Sequence, residues 1–132
     1  MTLCLSDMSS FNDDSIRESP AYRRLVEKLT KENLWLFIIN LLIDRPMYAY
    51  EVKVKLRECY GLRAATVTVY TVLYRMTREG LLTTYEESGT KYYQVTEKGL
   101  EVYRNAISFI EKILKVLKEG KVNEKGYSED RA

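Results

Sequence analysis

Histidine is absent from this chain of 132 residues, and cysteine occurs twice, at Cys4 and Cys59, 55 positions apart. That leaves no ligand set at metal spacing, and no Ser–His or Cys–His couple for nucleophilic catalysis. Six glycines are scattered without a phosphate-cradling loop. No carboxylate cluster has a partner, and Glu86-Glu87 reads as surface rather than as a catalytic pair. The chain therefore reads as a non-enzyme, with no metal and no cofactor. Long apolar runs are also missing. The longest, Leu34 to Ile43, is ten residues interrupted by Asn40, whereas a membrane span needs about 20. No basic start leads into an apolar stretch, so no signal peptide is visible, and the expected location is cytoplasmic. Cys59 reads as a packing residue near a helix end. High Tyr, Lys and Glu with a single Gln matches thermophile usage, which keeps an intracellular disulfide open.

The small net charge of +2 hides an asymmetry. Residues 1–19 hold Asp7, Asp13, Asp14 and Glu18 against Arg17, one base minus four acids, or −3; the remainder is therefore +5. A modestly basic body implies salt-sensitive affinity for nucleic acid without a broad cationic surface. The length suits one core and not two.

What is present concentrates between Ala65 and Thr96. At 100° per residue, Val69, Val72, Leu73 and Met76 form one apolar stripe. Thr68, Thr71, Arg75 and Arg78 gather on the far side, with Val67 and Tyr74 beside them and no acid before Glu79. Hydroxyls and guanidinium groups suit a DNA groove, since they reach phosphates or base edges and Arg can bind guanine in a bidentate way. A merely solvated helix face is the bland alternative; the neighbouring elements favour DNA. Gly80 ends this helix, and strand formers then flank Ser88-Gly89, a turn in which Gly is free to take positive φ. Upstream, Pro46 precedes a segment with Ala49, Val52 and Leu56 at helical spacing, stopped at Gly61, a good left-handed cap. Thr66 is the expected N-cap of the next helix. Two helices joined by a short Gly-bearing turn and followed by a hairpin give a winged helix-turn-helix. The Leu34–Ile43 run reads as its buried central helix, and Ala21–Thr30 as a short helix with Tyr22, Leu25, Val26 and Leu29 inward.

The last helix, capped by Thr96 and ended near Gly120, carries two stripes. Leu100, Tyr103, Ile107, Ile110, Leu114 and Leu117 are spaced 3, 4, 3, 4, 3, and Val102, Ala106, Phe109, Ile113 and Val116 are spaced 4, 3, 4, 3. One stripe can cover the chain's own core. The second implies a homodimer through Leu100, Tyr103, Ile107, Ile110, Ile113, Leu114 and Leu117, unless both are buried within one monomer.

These segments resemble a known family. Pro46-Met47-Tyr48-Ala49-Tyr50-Glu51-Val52, Thr68 to Met76 with Glu79-Gly80-Leu81-Leu82, and Lys91 to Gly99 are similar, in order, to motifs of the PadR-type transcriptional regulators. The resemblance covers roughly residues 33–118. It implies a repressor that acts as a homodimer on a palindromic operator, often under a small aromatic or drug-like effector bound between the central and last helices. Trp35, Phe37, Tyr103 and Phe109 are the aromatics placed for such a pocket. The sequence departs from the family at Tyr48-Ala49, where His-Gly is usual, at Thr71 for Pro, at Val67 for Gly, and at Glu86-Glu87, where many relatives carry Arg. Lys91 is then the one obvious cation of the wing.

The expected architecture is mainly α with a small β-hairpin: a winged helix-turn-helix with an N-terminal helix and a long C-terminal dimerisation helix. Its segments are a flexible acidic stretch 1–19, the DNA-binding domain 20–95, the dimerisation helix 96–119 and a flexible tail 120–132. The expected DNA contacts are Tyr48, Arg63, Thr66, Thr68, Tyr70, Thr71, Tyr74, Arg75, Arg78 and Lys91, on double-stranded DNA. A winged helix used only for protein contact is the competing reading.

Overall fold

In the computed structural model, which describes residues 19–120, five helices and three short strands follow one another. The acidic stretch before Ser19, the tail after Gly120 and Cys4 lie outside the described residues. Two compact units meet along the chain between Leu100 and Glu101.

Helix α1 (Pro20–Leu29) starts where Ser19 accepts a hydrogen bond from the Tyr22 amide at 3.2 Å, with Pro20 at the first helical position. Its apolar stripe is not inward, as the sequence pattern suggested. No residue of α1 is buried, and Leu25 and Leu29 are about half exposed. The physical reason is that α1 packs chiefly on the 3₁₀ turn Lys31–Asn33 that follows it, which covers only part of its stripe.

Helix α2 (Leu34–Asp44) is the central helix. Leu34, Ile38, Ile39, Leu41 and Leu42 are buried. One flank is less covered than expected, because Trp35, Leu36 and Phe37 are half-buried and Ile43 is exposed. Strand β1 (Met47–Tyr48) leads into α3 (Ala49–Tyr60), with Ala49, Val52, Leu56, Cys59 and Tyr60 buried. Cys59 is both packed and disulfide-bonded. Helix α3 ends as its glycine predicts. Gly61 has φ 70°, its amide bonds Arg57 O at 2.9 Å, and the Leu62 amide bonds Leu56 O at 3.1 Å. The bond from the Gly61 amide to the carbonyl four residues back is the αL closure, with Leu62 buried beside it.

Helix α4 (Thr66–Arg78) follows, then β2 (Leu82–Glu87) and β3 (Thr90–Val95). Ser88 and Gly89 both have positive φ, the two-residue primed turn that matches strand twist. The hairpin is not alone: β1 adds to β3, giving an antiparallel sheet in the order β1-β3-β2. Met47, Leu82 and Tyr93 from the three strands are buried on the inner face. Helix α5 (Glu97–Glu119) begins in this unit and continues as the second.

Candidate nucleic-acid interface

The burial of α4 sets its orientation. Val69, Leu73 and Met76 are buried and Val72 half-buried, so the opposite face looks outward. Thr66, Val67, Thr68, Tyr70, Thr71, Tyr74, Arg75 and Arg78 are all exposed. Ala65, not Thr66, is the N-cap, and no side chain caps the helix. Thr66 takes helical geometry instead, because the Thr68 and Val69 amides already bond Ala65 O.

Within that face some groups are committed and others free. Arg78 donates to Tyr74 Oη at 3.3 Å, with its guanidinium 5.8 Å from the ring centroid. Thr71 Oγ1 donates to Val67 O at 2.8 Å, and Thr77 Oγ1 to Leu73 O at 2.9 Å. No acidic side chain pairs with Arg75 among the described residues. Arg63 is exposed in the turn before the helix.

The wing places Lys91 opposite Glu86, and Lys91 Nζ lies 5.8 Å from the Tyr93 ring centroid. Burial raises the Tyr93 phenol above its ordinary pKa, and Tyr70 adds to this. Tyr48 is paired across the sheet with Tyr92, which stacks on Tyr85 with ring centroids 5.5 Å apart. Sequence reasoning missed this ladder, since it depends on β1 joining the sheet.

A joint ties the end of α4 to the start of α5. Thr96 Oγ1 donates to Gly80 O at 2.6 Å and accepts from the Gly99 amide at 3.0 Å, capping α5 as expected. Lys98 Nζ donates to Glu79 O at 3.0 Å, at the negative end of α4's dipole. At the first turn of α3, Arg45 donates to Glu51, and that bond raises the guanidinium's pKa.

Of the aromatics placed for an effector, Trp35 Nε1 donates to Asn33 Oδ1 at 3.3 Å. Phe37 meets Tyr60 edge-on at 5.1 Å. Tyr103 is half-buried and Phe109 exposed on the last helix. Among the described residues, no group of three His, Cys, Asp or Glu side chains is placed to hold a metal ion. No described helix is long and apolar enough to cross a membrane.

The sequence profile of the transcriptional regulator PadR-like family matches residues 38–105, from within α2 through the wing into α5. The chain belongs to that family. Solved structures agree. A transcriptional regulator from Clostridium thermocellum is 25% identical, with a TM-score of 0.59 over 67% of this chain and 90% of that one. A PadR-like transcription factor from Bacteroides fragilis is 25% identical, with a TM-score of 0.61 over 73% and 97%. Bacillus subtilis PadR, solved in complex with operator DNA, shares the fold at 19% identity, with a TM-score of 0.51 over 64% and 58%. No curated protein matches the sequence. The chain is a PadR-like transcription regulator with a DNA-binding winged helix, and the family and these neighbours are regulators, not enzymes.

Proposed function

We propose that this PadR-like regulator is a cytoplasmic repressor that binds a palindromic operator as a homodimer, with residues 20–95 as the reading domain and 96–119 as the dimerisation helix. The observation that carries the reading is the outward face of α4. Its hydroxyls, phenols and two guanidinium groups stand over a buried apolar stripe, free of acidic side chains before Glu79. In this reading Arg75 and Arg78 supply the charge. Thr66, Thr68, Tyr70, Thr71 and Tyr74 supply groove contacts, and Tyr48, Arg63 and Lys91 supply flanking phosphate contacts.

Dimerisation is supported by apolar side chains left in water on α5. Ile107, Phe109, Ile110, Ile113, Leu114, Val116 and Leu117 are all exposed, and exposed apolar surface of that extent marks an interface. Two-fold pairing would present two recognition helices to half-sites about one DNA turn apart. A small aromatic effector completes the reading.

The test is selection of bound fragments from random double-stranded DNA, followed by titration of the selected operator. Binding should fall steeply with salt. An Arg75→Ala/Arg78→Ala double mutant should lose roughly 1–3 kcal/mol per bidentate base contact removed, with its melting unchanged. Unaltered operator affinity in that variant removes the helix from the reading face; failure to select any fragment favours the protein-contact module.

A further inference from the structure

Among the described residues of the winged unit, Val67 is the most exposed large apolar side chain, 70% accessible at the second residue of α4. An isopropyl group in water gains nothing there from the fold, since it covers no core. It has neither donor nor acceptor, so it reads no phosphate and no hydrogen-bonding base edge. The one apolar feature that unmodified B-DNA offers in its major groove is the C5 methyl of thymine.

Thr71 lies four residues on, over the same face. Its hydroxyl donates to Val67 O at 2.8 Å, so its proton is already spent on the helix backbone. What remains for a ligand is its methyl group and one oxygen acceptor. Tyr70 and Tyr74, half or more exposed, border the pair at helical spacing from Val67. The first half of α4 is therefore uncharged, with the Val67 and Thr71 methyls beside the exposed Thr66, Thr68 and Tyr70 side chains, whereas both guanidinium groups lie in the last turn. Recognition helices place their N-terminal residues at the base edges.

We propose that Val67, with the Thr71 methyl, is a specificity-determining contact that reads thymine C5 methyl groups in each operator half-site. The inference rests on the DNA-reading function above and adds the base class read by the N-terminal half of the helix. Charge from the last turn sets affinity; the apolar pair sets an A·T requirement at the position beneath it.

The experiment uses the full chain and its own selected operator. Each thymine is replaced singly by deoxyuridine, which removes only the C5 methyl and keeps the pairing. Dissociation constants are read by fluorescence anisotropy at one fixed salt concentration. At one or two positions per half-site, the replacement should weaken binding about three- to five-fold per methyl, the size of one buried methyl or methylene group. Val67→Ala should bind the thymine operator about as weakly as the unmutated chain binds the deoxyuridine operator, and should show no further loss on deoxyuridine. Val67 is exposed, so an unchanged melting curve is required of that variant. A selected operator whose thymines all tolerate deoxyuridine overturns this inference and leaves the DNA-reading function standing. A deoxyuridine penalty that survives intact in Val67→Ala also overturns it. Failure to select any operator overturns both.

Discussion

Replacing Gly99 by alanine sets two effects of opposite sign against each other. Alanine in a helix interior is favoured over glycine by about 1 kcal/mol, and Gly99 stands in the first turns of α5. Against this, a Cβ at Gly99 would lie 2.3 Å from Leu81 O and 2.9 Å from Val95 Cγ2. Leu81 O is backbone and cannot swing away. To reach ordinary van der Waals contact the two segments must part by about 1 Å. Leu81 O also accepts from the Thr96 amide at 3.0 Å. A separation of that size takes that bond out of range, at about 1 kcal/mol, and overpacking alone costs roughly 1–3 kcal/mol. The clash wins. Net destabilisation should be about 1–3 kcal/mol, a fall in melting temperature of roughly 4–24 °C for a domain of this size. Thermal melts followed by circular dichroism, at one protein concentration because the proposed dimerisation would shift the midpoint, read it directly. Gly61→Ala is the control. Nothing lies within 4 Å of its Cβ, but its φ is 70°, so only the left-handed penalty of about 1–2 kcal/mol applies. A Gly99→Ala variant that melts at or above the unmutated temperature would show that the joint is loose and that helix propensity decides, contrary to the geometry.

Three further outcomes follow from other parts of the molecule. Ile110→Glu should convert the proposed dimer to monomer or unfolded chain by light scattering, with a loss of roughly 1.5–3 kcal/mol per buried side chain counted twice by symmetry, and operator binding should fall with it; a variant that stays dimeric and binds normally refutes the proposed assembly. Burial holds the Tyr93 phenol neutral, so its folded pKa lies above its unfolded value of about 10: the stability it adds is complete below that value and drains as pH rises through the raised one, and Tyr93→Phe should flatten this alkaline loss in urea melts. Trp35 is the sole tryptophan, so an aromatic effector should perturb its emission and the operator affinity together; a panel of planar aromatics that moves neither would leave a regulator without such a ligand.

Much of the fold was legible because its signals are local. Gly61 and the Ser88-Gly89 turn declare themselves by residue type, and the α4 stripe by a period that survives over 13 residues. Strand β1 was not legible. Two residues carry no periodicity, and Met47–Tyr48 is a strand only because Tyr93 and Tyr92, more than 40 positions on, supply its hydrogen bonds. The α1 stripe was legible as a stripe, but its destination was not: amphipathicity says that a face wants cover, never which surface provides it. Residue type alone points to Thr66 as the N-cap, whereas the break in backbone geometry falls one residue earlier, at Ala65.

The candidate site shows the same boundary between local and long-range information. Which residues of α4 face outward follows from the helical period, but how they spend their hydrogen bonds does not. Arg78 is held by Tyr74 through a contact four residues apart, so in the proposed complex it would meet DNA partly preorganised and give up that contact to do so. Arg75 has no such tie. Equal exposure therefore does not mean equal role: a base contact that needs free reach suits Arg75, and a fixed phosphate contact suits Arg78. The wing repeats the point. Its one cation near the turn, Lys91, faces Glu86 across the hairpin and lies beside the Tyr93 ring, while Glu86 and Glu87 carry the charge that phosphate rejects. With the wing compensated in this way, the proposed electrostatic attraction falls to the last turn of α4 and the turn at Arg63, and the proposed methyl contacts of the first half would add to any base contact from Arg75.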